Sequence, residues 1–111
     1  MGGSVSAEAF VCAASGNLEG LLTTIDKNDK FDINDHDEEE FRYTALHHAA
    51  RHNHVNIADW LLKNGANVNS RNEYGFTPLH VASARGSLDV VKVLLSNGAS
   101  VDTVTENVRL L

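Results

Sequence analysis

Apolar residues in this chain come in short clusters with helical spacing, each cut off by a glycine or an asparagine. The clearest pair of clusters lies between positions 77 and 98. Thr77-Pro78 starts a helix, because threonine supplies an oxygen to a free backbone N–H and proline sits where no N–H is needed. Leu79, Ala82 and Ser83 then make one narrow face of small residues, and Gly86 ends the helix in the left-handed conformation. Leu88, Val91, Val93, Leu94 and Leu95 give a second apolar face, which Asn97-Gly98 closes. Ala99 to Arg109 reads as extended and polar, anchored by Val101. The preceding stretch reads the same way. Thr44 caps, Leu46 and Ala49-Ala50 pack, and Asn53 takes the left-handed place of Gly86. Val55, Ile57, Ala58, Trp60, Leu61 and Leu62 form the following helix, with Trp60 expected in the core, and Gly65 ends it. Val68 to Phe76, rich in Asn, Ser and Gly, predicts a turn or hairpin between the two units.

The two units lie at a fixed offset of 33 residues. Thr77-Pro78-Leu79-His80 answers Thr44-Ala45-Leu46-His47, Leu94-Leu95 answers Leu61-Leu62, and Asn97-Gly98-Ala99 answers Asn64-Gly65-Ala66. Such an offset marks a structural unit used more than once. A worn copy stands in front: Phe10 to Ala14 as first helix, Gly16 as its cap, and Leu18, Leu21, Leu22 and Ile25 as the second. After Ile25 the spacing lengthens through the polar loop Asp26 to Lys30, and Ile33-Asn34 falls in step with Val68-Asn69. The acidic run Asp35-His36-Asp37-Glu38-Glu39-Glu40 enlarges the first hairpin. The expected division is a single domain, 1–111, made of a degenerate capping repeat at 6–34, repeats at 35–69 and 70–102, and a tail or the start of a truncated fourth repeat at 103–111.

These residues resemble the ankyrin-repeat family. Tyr74-Gly75-Phe76 through Leu94-Leu95-Ser96-Asn97-Gly98-Ala99-Ser100-Val101-Asp102 carries the likeness, with His47-His48-Ala49-Ala50 and Asn64 to Asn69. The resemblance implies an all-α solenoid of stacked helix-turn-helix units joined by hairpin-like loops. It implies that His47 and His80 hydrogen-bond within and between turns, and that His54 fills a place often held by histidine. Three departures stand out: Ala45 replaces proline, Asn53 replaces glycine, and Arg42 stands where the turn glycine belongs. The first two should weaken the middle repeat somewhat. Thr105-Glu106-Asn107-Val108 sits where a fourth repeat would begin, so Leu94 and Leu95 are expected near an uncovered end. A longer parent protein accounts for that end better than cover by another chain. In the family, partners are held by hairpin tips and by the exposed faces of the first helices, which together form a concave groove. Carried onto this sequence, that groove takes Tyr43, Arg51 and His52 from one repeat and Arg71, Glu73, Tyr74, Phe76, Ala84 and Arg85 from the next. Tyrosine, phenylalanine and arginine are residues that dominate binding energy at interfaces. The competing role for Tyr74 and Phe76 is packing against neighbouring hairpins.

Composition and charge narrow the function. The formal charge of −6 disfavours nucleic acid and anionic membrane as partners and favours a basic protein surface. Aromatics make up only 6%, so small aliphatic side chains must do most of the packing. Cys12 stands alone in an apolar run, which excludes an internal disulfide and suggests a small core residue. The first residues lack the make-up of a signal peptide, which fits a cytoplasmic or nuclear protein. Gly2 and Ser6 fit the short myristoylation pattern, too brief a match to outweigh that reading. His48 and His52, four apart, could share a helical face for a metal ion, but the glutamate of a zinc-protease helix is missing. Asp37 to Glu40 are consecutive and read as a solvated loop tip, not an acid–base pair. No catalytic residues, metal or cofactor are expected. The chain reads as a non-catalytic adaptor or scaffold domain for a protein partner, monomeric or weakly self-associating. Two alternatives are a targeting or regulatory domain of a larger enzyme, and a module that self-associates through the uncapped C-terminal repeat.

Overall fold

The computed structural model describes residues 5–28 and 30–101. The predicted tail at 103–111 and Gly2 of the myristoylation pattern lie outside them. Among the described residues there are six helices: α1 (Val5–Ser15), α2 (Leu18–Asp26), α3 (Ala45–Arg51), α4 (Val55–Lys63), α5 (Pro78–Arg85) and α6 (Leu88–Ser96). They pair as three helix-turn-helix units. An inner row is built by α1 on α3 and α3 on α5, and an outer row continues as α4 on α6. The all-α repeat architecture is the expected one.

Caps set the helix starts. Thr44 accepts from the N–H of His47, and Thr77 accepts from that of His80 (3.3 and 3.2 Å). Pro78 occupies the first turn of α5. Gly16 and Gly86 close α1 and α5 at φ +80° and +71°. Asn53 does the same for α3 at φ 56°. Its side chain also accepts from the N–H of Val90 at 3.2 Å, at the start of α6. That bond offsets the cost of asparagine in place of glycine, a compensation absent from the expectation of a weakened repeat. Arg42 adopts φ 56° in the turn, the conformation Gly75 holds at φ +80° one repeat later. Phe41 beside it sits at φ 55°. Left-handed backbone in such residues costs on the order of 1 kcal/mol each.

The core is built from small and aliphatic side chains. Ala9 and Ala13 of α1, Ala49 and Ala50 of α3, and Ala82 of α5 are all buried, which lets the inner helices approach closely. Leu21, Leu46, Ile57, Leu61 and Leu94 fill the space behind them. Each contributes roughly 1.5–3 kcal/mol by leaving water. Several expectations are corrected. Val90 and Leu94 are the buried residues of α6, while Leu88 and Leu95 are exposed. Leu94 is thus core and not part of an open end. Trp60 packs against the core but is only half-buried, because its other side borders a cleft facing α2, where α2 and α4 pack less closely than α4 and α6. Cys12 is half-buried and packs against the core, beside a cleft between α1 and α2. Val101 has helical backbone rather than extended backbone, and it is 55% exposed.

Two polar ladders lock neighbouring units. Asn34 accepts from the N–H of Asn67 (2.7 Å), and Asn69 accepts from the N–H of Ser100 (2.9 Å). Ile33-Asn34 and Val68-Asn69 therefore do hold equivalent places. In the other ladder, His54 Nε2 donates to the Ala14 carbonyl at the end of α1 (2.9 Å).

Candidate functional site

The hairpins between the helix pairs stand along one edge of the stack. In the first, Asp37 and Tyr43 form an antiparallel bridge, with the N–H of Asp37 donating to the Tyr43 carbonyl at 2.7 Å. The second repeats this bond from Asn72 to Phe76 at 3.0 Å, with a shorter loop between. The N–H of Glu73 donates to the Phe41 carbonyl at 3.1 Å and ties one hairpin tip to the next.

That tie aligns four aromatic rings. Tyr43, Phe41, Tyr74 and Phe76 follow one another at centroid separations of 5.7, 5.9 and 6.0 Å. The ends of the line are anchored. Tyr43 stacks on His47 at 5.3 Å, and Phe76 stacks on His80 at 4.0 Å. The middle is open: Phe41 is 43% and Tyr74 59% exposed. Such rings left in water forfeit burial energy unless something covers them. Phe41 is the member that sequence reasoning missed. Its signal was the 33-residue offset, which places it opposite Tyr74 only once the hairpin insertion is assigned ahead of Phe41.

The other expected residues fall in two places. Arg71 and Glu73 are exposed on the second hairpin beside Tyr74. Arg51, His52, Ala84 and Arg85 lie at the C-terminal ends of α3 and α5, Arg51 half-buried and the rest exposed. The basic residues there also complement the negative helix ends. Burial, then the nearby Arg51, His54 and Arg85, hold the His52 imidazole below its usual pKa. Tyr43 and Phe76 are half-buried and serve packing as well as surface.

Histidines organise the ground beneath. His47 Nδ1 accepts from the N–H of Thr44 (3.0 Å), which places its proton on Nε2 and aims that proton at the Phe76 carbonyl (2.8 Å). Burial lowers its pKa from 6.5 to about 4. His80 does not repeat this pattern: its ring stacks on Phe76, and its buried Nδ1 has no hydrogen-bond partner among the described residues. His48 Nε2 meets Asp37 at 3.0 Å, and burial pulls its pKa down against the pull of that carboxylate. Asp37 is only 8% exposed and also accepts from the N–H of Glu39 (3.0 Å). The expectation of a wholly solvated acidic run is corrected there: Asp37 is the buried post around which the loop turns. His48 is committed to that post, while His52 stacks near His54. Among the described residues, no three His, Cys, Asp or Glu side chains come together as a metal site.

A family model of ankyrin repeats, in three copies, matches residues 9–105. The chain belongs to the ankyrin-repeat family. Ankyrin repeats are generally protein–protein interaction modules and are typically non-catalytic. No curated protein matches the chain. Among the described residues of this ankyrin domain, no helix is long and apolar enough to cross a membrane.

Proposed function

We propose that this ankyrin domain is a non-catalytic adaptor or scaffold element that holds a protein partner across its hairpin tips and inner helices. The observation that carries the reading is the exposed pair Phe41 and Tyr74 in the aromatic line. These rings sit on hairpins tied to each other and to a packed helical stack, so a partner gains contact area with little ordering cost. Arg71, Glu73 and Arg85 supply the polar contacts around them, and Arg51, His52, Ala84, Tyr43 and Phe76 complete the surface. The chain's acidic balance favours a partner with basic groups. A cytoplasmic or nuclear setting fits this role.

The test is a double substitution, Tyr74→Ala with Arg85→Ala. Both side chains are exposed, so the helical circular-dichroism signal should stay unchanged. The protein captured from the native source should be lost, by about tenfold or more in affinity, as expected for interface anchors. Undiminished capture by the double variant would reject the assignment.

A further inference from the structure

We propose that the cleft between α1 and the acidic hairpin receives a lysine or arginine side chain carried on an apolar stretch of the partner. The proposal rests on the reading of the hairpin and inner-helix face as the binding surface, and it names the chemistry at one end of that face.

The cleft has a volume of about 290 Å³. It is too small for a folded element and large enough for a long side chain with its neighbour. Phe10, Val11 and Ala14 of α1 line one side. Phe10 is buried, its ring 5.7 Å from that of His48. Val11 is 68% exposed. The other side is Glu39 and Glu40, with the Asp37–His48 pair at the back.

The carboxylates there are not equivalent. Asp37 is occupied by His48 and by the N–H of Glu39. Glu38 is answered by Arg42 at 3.1 Å, outside the cleft. Glu39 and Glu40 meet no cation among the described residues. Two glutamates in no ion pair among the described residues thus line the same cleft as an exposed valine. A basic side chain has the matching form: an apolar stem to cover Val11 and a cationic head for the glutamates. An anionic group would be repelled, and a purely apolar one would leave both carboxylates desolvated without a partner. The Asp37–His48 bond holds the loop backbone, so only the exposed glutamate side chains remain to be ordered on binding.

The probe is the peptide acetyl-Leu-Arg-Leu-Arg-Leu-Arg-amide, titrated into isotope-labelled protein and followed by amide chemical shifts. Shifts should concentrate at Val11, Ala14, Glu39 and Glu40. Affinity should fall about tenfold in Glu39→Gln/Glu40→Gln and several-fold in Val11→Ser, as expected when the facing charges or the apolar contact are removed. All three residues are exposed, so these variants keep the fold. The proposal is overturned if the wild type does not bind, if a matched Arg-Ser peptide binds equally well, or if the glutamine variant binds unchanged. Failure of the broader reading is distinct from these outcomes, because it is seen as native-partner capture that survives Tyr74→Ala/Arg85→Ala.

Discussion

His47 carries its proton on Nε2 because its other nitrogen is filled by the N–H of Thr44. Protonating Nδ1 would set two donors against each other in a buried place. Its pKa of about 4 in the fold, against 6.5 for the free side chain, follows from that burial. Between those values the unfolded chain binds more protons than the folded one, so stability rises with pH. The contribution is full above pH 6.5 and lost as the pH falls towards 4, and it amounts to about 3 kcal/mol. Burial lowers the pKa of His48 and of His80 as well, which adds to the same slope. Urea unfolding followed across this range should show stability falling on acidification, with a shallower fall in His47→Gln. A flat profile in the wild type would contradict the buried neutral ring. At this scale the sequence was half legible. The capping threonines and the left-handed Asn53 were readable because they act on residues three or four away or on their own backbone. Asp37 was not, since its partner His48 reaches it only after the hairpin folds back.

Gly16 joins two elements and tests how they meet. Its φ of +80° favours glycine, and a Cβ there would lie 2.7 Å from the His54 ring, which is bonded to the Ala14 carbonyl. Gly65 has an equally unusual φ of +99°, with nothing within 4 Å of the same Cβ position. Gly65→Ala should therefore cost only the backbone term, about 1 kcal/mol. Gly16→Ala should cost more, about 2–3 kcal/mol, since His54 must give way and its bond is lost. Thermal unfolding of the two variants side by side checks the order, and equal losses would show that His54 gives way freely. The helices themselves were legible from their apolar spacing. Which face of α6 is buried was not, because Leu88, Val90, Leu94 and Leu95 are all apolar and only the position of α4 and α5 chooses between them.

In the whole stack, cohesion is uneven. The inner row runs unbroken from α1 through α3 to α5, but the outer row is close only from α4 to α6. A cleft bordered by Leu22, Ile25 and Trp60 separates α2 from α4. Fewer buried contacts lower the free energy of local opening. Amides of α2 should therefore exchange with solvent well before those of α4, by about tenfold or more at neutral pH. Equal protection of α2 and α4 would mean that the cleft closes in solution. The charge is uneven too, with Glu39 and Glu40 beside α1 and Arg51 and Arg85 at the ends of α3 and α5. That arrangement would set the direction in which an extended partner lies.

By itself the sequence determined the unit, its 33-residue step, the family and the caps that start α3 and α5 and close α1, α3 and α5, though not the start of α1, which lies at Val5 and not at Phe10. Those features rest on local backbone preferences and on a pattern repeated along the chain. Tertiary structure alone decided that Asp37 leaves the acidic run for the interior, that Phe41 and Tyr74 stay uncovered on hairpins tied to each other, and that α2 stands off from α4. Each of these depends on contacts between residues distant in sequence, and the loop insertion before Thr44 sets the register at which they meet.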